Sequence, residues 1–204
     1  MITQQVYSTF DDAYHFFNKR LFDGLLPDSL ITLQKKSRSR GHFGAERYQE
    51  RDGKEKIAEL NLNPDYFVGR TDAEILSTLV HELTHVQQQS SGEPSRGGYH
   101  NKQWASMMEA VGLMPSSTEK EGGSKTGQNM SHYIIMGGAF DIACQDFLKD
   151  GGLEWESVVY SKIKRQSKKT RWKFTCPVCT QNAWAKENAK IMCGECECNM
   201  EKND

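Results

Sequence analysis

His81, Glu82 and His85 stand in the pentad His-Glu-Leu-Thr-His, and His100 follows fifteen residues later. On a helix turning 100° per residue, His81 and His85 project within about 40° of each other, so two imidazoles can meet one metal ion. Glu82 lies about 100° round from His81, close to the pair but outside it, where a carboxylate can take a proton from water. Alone, the pentad also reads as an amphipathic helix carrying two half-exposed histidines. His100 adds a third neutral nitrogen. Three imidazoles with one open position are the ligand set of a catalytic zinc, whereas a structural site is closed by four protein ligands.

A second group of chemistry-bearing residues lies near the C-terminus. Cys176-Pro-Val-Cys179 and Cys193-Gly-Glu-Cys196 are two CxxC pairs separated by thirteen residues. Such pairs predict a zinc ribbon, each supplying one knuckle of a four-thiolate structural site. Cys198 is an additional thiol able to replace Cys196 as the fourth ligand. Two zinc ions are therefore expected, one catalytic and one structural. Ser161 to Phe174, just upstream, holds seven basic residues and no acid. Lys168, Lys169 and Arg171 could track phosphates, and Trp172, Phe174 and Trp184 could stack on unpaired bases. A solvated linker with aromatics packed into the ribbon is the other reading.

These groups need elements to hold them. Thr71 with Glu74 forms a capping box that starts a helix running through the histidine pentad. Leu76, Leu79, Leu83 and Val86 fall on its far side and predict a core stripe. The double glycine before His100, then Trp104, Met108 and Val111 at helical spacing, predict a loop and second helix that bring His100 back over the first. Upstream, Val6, Phe10, Tyr14, Phe17 and Leu21 recur at three- and four-residue steps, predicting an amphipathic helix that stops at Gly24. Leu30–Leu33, Phe43–Tyr48 and Ile57–Leu62 read as strands of a small antiparallel sheet, with Asp52-Gly53 a turn. The basic stretch 35–40 reads as a solvated loop in preference to a nucleic-acid contact. In zinc proteases of such α+β plan an edge strand can hold a peptide by its backbone, but the sequence does not say which strand is the edge.

From Pro115 to Ser131 the composition turns to Ser, Gly, Lys, Thr and Glu, predicting an exposed loop. A short helix follows over Phe140–Phe147, with Cys144 an inert apolar thiol. His132 or Tyr133 could reach the metal as a donor to a reacting carbonyl, or simply pack. Three segments result: a metalloprotease domain over 1–115, a linker with a short helix and the basic run over 116–170, and the ribbon over 171–204.

The order of these motifs resembles the SprT-like metalloprotease family, which includes the Spartan proteases. Phe17-Asn18, Phe22-Asp23-Gly24-Leu25-Leu26-Pro27, Gly41-His42-Phe43, the pentad, Gln88, His100, Trp104 and the cysteine ribbon carry the likeness. It covers most of the chain and is weakest over 116–173. The resemblance implies a zincin-like α+β fold and a zinc metalloendopeptidase acting on proteins attached to DNA, and the aromatics beside the basic run make single-stranded or junction DNA the expected partner. A DNA-binding scaffold with structural zincs and a cytosolic protease indifferent to DNA are the rivals. A hydrophobic fraction of 37% with 26% charged residues fits a soluble chain with a modest core. No apolar run is long enough for a membrane span, and the start lacks a basic-then-apolar pattern, so a cytoplasmic protein with reduced cysteines is expected.

Overall fold

A computed structural model of the chain describes residues 1–149, 151–155 and 170–203. Two compact units divide it, Met1–Val159 and Tyr160–Asp204. Among the described residues no helix is long and apolar enough to cross a membrane.

The first unit opens with α1 (Ile2–Leu21), whose buried face is Phe10, Ala13, Tyr14 and Phe17. Beyond its end the backbone turns through Gly24 at φ +71°, a left-handed conformation glycine adopts without steric cost. Asn18, itself buried, pins that turn by donating to the Leu26 carbonyl and accepting from the Leu26 amide, both at 3.1 Å. Strands β1 (Ser29–Leu33), β2 (Gly41–Gln49) and β3 (Lys56–Leu62) form a sheet in the order β1-β3-β2. The expected all-antiparallel sheet is corrected here, because β1 runs parallel to β3 while β2 is antiparallel to it. Its central strand is β3, with Leu60 and Leu62 fully enclosed. That leaves β2 as an edge.

Helix α2 (Asp72–Ser91) starts with the expected capping box: the Glu74 amide donates to Thr71 Oγ1 at 3.2 Å, and the Thr71 amide to Glu74 Oε2 at 2.7 Å. Leu76, Leu79, Leu83 and Val86 are buried on it, each contributing roughly 1.5–3 kcal/mol relative to exposure. Helix α3 (Lys102–Ala110) follows, N-capped by Asn101, whose side-chain oxygen accepts from the Trp104 amide at 2.9 Å.

The segment expected to be a linker after residue 115 belongs instead to this unit. Strands β4 (Leu113–Ser116) and β5 (Ser131–Ile134) pair antiparallel, and α4 (Ala139–Leu148) buries Phe140, Ala143 and Cys144 in the same core as α1 and α2. Its apolar residues are too few to announce a domain element from composition, yet they complete the core that α1 and α2 leave open. Burial pushes the Cys144 thiol up to about 11, as suits an inert core group.

The second unit holds β6 (Trp172–Thr175), β7 (Asn182–Ala185), β8 (Met192–Cys193), β9 (Cys198–Asn199) and β10 (Glu201–Asn203). The larger sheet has the order β10-β6-β7, and β8 pairs with β9. Phe174, Cys176 and Cys193 are its buried residues among those described.

Candidate metal centre

Midway along α2, His81, Glu82 and His85 sit on a stretch buried almost all round, since both neighbouring faces are covered by protein. One ligand atom from each of His81, His85 and His100 lies within 4.8 Å of the others. Nε2 of His85 and Nε2 of His100 are 3.1 Å apart. Two nitrogens held by one zinc at its usual bond length and tetrahedral angle stand about 3.3 Å apart, so the donor set fits a single dication. Burial keeps all three rings uncharged: His81 is held well below the usual histidine range, His85 is pushed down to about 3, and His100 is lowered. Neutral imidazoles are the form that ligates.

Each ring is held from behind. His85 is sandwiched between Phe43, at 6.0 Å and 13° interplanar, and Trp104, at 5.4 Å and 18°. Trp104, wholly enclosed, also meets His81 and His100 edge to face at 5.0 and 4.3 Å. His100 forms an antiparallel bridge with Gly127: its amide donates to the Gly127 carbonyl at 2.8 Å, and its Nδ1 stands 3.2 Å from the same oxygen. A proton on Nδ1 leaves Nε2 bare for a metal. Gln88, one turn beyond His85, donates to Asn101 Oδ1 at 2.8 Å and Gln103 Oε1 at 3.1 Å, which locks α3 to α2.

Glu82 lies beside this cluster, 4% exposed, beneath the first residue of β2. A methyl group at Gly41 would run into its Oε1 and stand 3.0 Å from its Cδ and Cγ, so glycine alone leaves room for the carboxylate. Burial raises Glu82 to about 8, opposed weakly by Lys36. A cleft of about 870 Å³ opens onto the histidines, walled by β2 from Gly41 to Ala45 and, opposite, by Tyr99 and residues 128–132. Arg40 at its rim pairs with Glu119 at 2.8 Å, joining β2 to the loop that carries Gly127.

The loop 117–130 is what sequence reasoning missed as part of the site, while His132, expected as a possible donor at the metal, reaches the cluster in another way. His132 comes within 3.2 Å of His81, ring nitrogen to ring nitrogen, and its other nitrogen is 2.9 Å from Ser77 Oγ. With both nitrogens engaged it has none to offer a reacting carbonyl, which corrects the expectation of an electrophilic donor. Tyr133 pairs with Met114 in the β4–β5 ladder. A histidine two-thirds of the way along a chain carries no periodic signal linking it to a helix fifty residues earlier.

In the second unit the sulfurs of Cys176, Cys179, Cys193 and Cys196 lie within 4.8 Å of one another. Cys179 and Cys193 are 3.7 Å apart, near the roughly 3.8 Å edge of a tetrahedral four-thiolate site. Cys198, paired with Cys193 across β8–β9, brings its sulfur to 3.6 Å from Cys176. The Cys179 amide, donating to Cys176 Sγ, pushes that thiol down to about 6, toward the thiolate a metal needs.

The residues expected to meet DNA separate. Lys168 and Lys169 lie outside the described residues. Arg171 is exposed at the start of the sheet. Trp172 pairs with Ala185, whereas Trp184 pairs with Lys173, so the two indoles point to opposite faces. Trp184 is 61% exposed, while Trp172 is half-buried with Lys202 6.0 Å from its ring and Phe174 is buried. Phe174 is therefore core, and Trp172 and Trp184 do not form one stacking platform.

Comparison with known proteins supplies the remaining observations. The model of the SprT-like family matches residues 10–123, which span the histidine cluster, Glu82 and most of the cleft. A protein of Salmonella typhimurium described as an uncharacterized protein in the mucB 3' region is 36% identical over 58 residues, 28% of this chain and 78% of that relative. No solved structure matches.

Proposed function

Since this chain belongs to the SprT-like family, we propose that its first unit is a zinc-dependent metalloendopeptidase of zincin-like plan, with His81, His85 and His100 as metal ligands and Glu82 as general base. The observation that carries the proposal is the convergence of three uncharged imidazoles and one sequestered carboxylate on the wall of a cleft bordered by the edge strand β2. A zinc ion held by His81, His85 and His100 would supply a Lewis acid, able to lower the pKa of water toward about 7 and to stabilise charge on a carbonyl oxygen.

The protein's own groups do the rest. Glu82 accepts a proton from the attacking water and returns it to the leaving amine, a transfer worth typically 10²–10⁴-fold. Its raised pKa suits that exchange, because a carboxylate at the usual value is a poor acid near neutrality. A dication close by favours the ionised form, so the working base lies lower than it does in the bare protein. The extended substrate lies along β2. The Asn63 amide donates to the Arg40 carbonyl at 2.8 Å, and by antiparallel alternation Gly41 and Phe43 turn their N–H and C=O groups to the free edge. A peptide added there gains main-chain hydrogen bonds largely independent of its sequence. Trp104 and Phe43 exclude water from behind the rings.

The decisive experiment is cleavage of an unfolded protein by the full chain and by Glu82→Gln, with metal content measured on both. Loss of cleavage with metal retained is expected. A Glu82→Gln protein that cleaves at the parent rate sinks the general-base role, and one that loses metal makes Glu82 a ligand.

The DNA reading belongs to the second unit and rests on Lys173, the last residue of the basic run to carry charge, sharing the exposed face of its sheet with Trp184. The substrates are then proteins held on DNA, brought to the enzyme by a shared strand. Anisotropy with a labelled single strand across a salt series tests it. Trp184→Ala should weaken binding about tenfold or more, at the ~1–3 kcal/mol per stacked base. Binding that is absent at low salt moves the assignment to protein recognition.

A further inference from the structure

A fourth imidazole touches the cluster without belonging to it. His132 on β5 places Nδ1 3.2 Å from Nδ1 of His81, and its Nε2 lies 2.9 Å from Ser77 Oγ. Ser77 sits one turn before His81 on α2, and its hydroxyl donates to the Glu74 carbonyl at 2.8 Å. Two facing Nδ1 atoms share one proton between them, so the tautomers of the two rings are tied together. With the proton on His81 Nδ1, His132 Nδ1 accepts it, His132 Nε2–H donates to Ser77 Oγ, and the Ser77 hydroxyl donates onward to Glu74. Each donor then has its acceptor. With the proton on His132 Nδ1 the order fails: Ser77 must turn its hydrogen toward His132 and abandon the Glu74 carbonyl. His81 then carries its own proton on Nε2, the nitrogen that has to be bare to bind a metal.

We infer that His132 is a positioning residue: it holds His81 in the Nδ1-protonated tautomer with Nε2 turned to the metal, and is itself anchored to α2 through Ser77. The inference rests on the reading of His81 as a metal ligand. Neutral rings are needed at both positions. Partners of this kind behind a metal-bound histidine are typically worth 10–100-fold in metal affinity. Supplying the partner from β5 also makes a strand beyond the pentad and His100 part of the metal site.

The test uses the full chain and cobalt(II), whose thiolate-bound form shows charge-transfer bands that an imidazole site lacks, so the two sites titrate separately. Affinity at the imidazole site is read by chelator competition for the parent, His81→Ala, His132→Phe, His132→Asn and Ser77→Ala. His132→Phe keeps the ring's bulk but offers no acceptor, and should weaken binding 10–100-fold. His132→Asn keeps an acceptor in a smaller side chain and should lie closer to the parent than Phe does. Ser77→Ala should fall between. Parent affinity in His132→Phe, or equal losses in Phe and Asn, overturns the inference in favour of packing. A change in the cobalt d–d spectrum to a lower coordination number in His132→Phe overturns it too, by making His132 a ligand. If His81→Ala binds as the parent does, the failure lies in the metal site itself and not in the role given to His132.

Discussion

Gly41 decides the position of Glu82 by having no side chain. The residue sits on a strand, yet what matters is that the Glu82 carboxylate occupies the space a Cβ there would need. Gly41→Ala should therefore displace Glu82 while sparing the histidines, lowering kcat at least tenfold with metal content unchanged. Steady-state kinetics beside metal analysis check this, and an alanine variant with parent kcat removes the constraint. Burial of Glu82 also has a cost that pH reveals. Its pKa rises from 4.5 to about 8, so between those values the unfolded chain ionises while the native carboxyl stays protonated, and metal-free stability falls as pH rises. The histidines act in the opposite direction. His85 and His132, lowered from 6.5 to about 3, lose stability as pH falls below 6.5, because the unfolded chain takes up protons the native state refuses. Metal-free protein should be most stable between these limbs, near pH 6. Glu82→Gln should remove the alkaline limb, raising stability at pH 8 by a few kcal/mol and leaving pH 5 nearly unchanged. Urea midpoints across a pH series measure both limbs.

At the scale of elements, β2 serves the proposed substrate and α2 serves the metal. If β2 binds peptide by its free edge, affinity depends on the substrate backbone more than on its side chains. A substrate N-methylated at alternate residues on the edge-facing register should bind at least tenfold more weakly, while the same peptide methylated one residue out of register should bind normally. Competition against an unmodified peptide on the Glu82→Gln protein reads the difference. Equal binding of the two would place the substrate elsewhere in the cleft. The same elements show why only part of the site was legible from sequence. Helix α2 announced itself because Thr71, Glu74, the leucines and the pentad are all local signals at helical spacing. Helix α3 did so through Trp104 and Met108. The loop 117–130 did not, since its contact with the metal site, the bridge from Gly127 to His100, joins residues 27 apart and rests on the Gly127 backbone, which any residue type carries. A Ser- and Gly-rich composition looks the same whether the loop is docked or free. The parallel pairing of β1 with β3 was hidden for a similar reason, because the β2–β3 hairpin carries no trace of which way the first strand lies.

For the whole molecule, the two units differ in what holds them together. Met1–Val159 has an apolar core that needs no metal to be counted, whereas the second unit buries Phe174 and two cysteines among its described residues. Below about 70 residues a single core of this kind rarely suffices without a staple. Cys176→Ser with Cys193→Ser should therefore unfold the second unit and leave the thermal transition of the first in place. A chelator should strip the open imidazole site faster than the closed thiolate one, with two zinc ions per chain at the outset. Calorimetry and timed metal release distinguish these from a single cooperative molecule carrying one ion.

Trp104 leans on all three histidines at once, at 4.3 to 5.4 Å, and is entirely enclosed. It thereby makes the centre its own optical gauge. With Trp155, Trp172 and Trp184 replaced by Phe, the remaining indole should emit at short wavelength and be quenched by cobalt or copper arriving within a ring's width. Occupancy of the site, and its exchange in real time, then become readable as light from a residue the protein already carries.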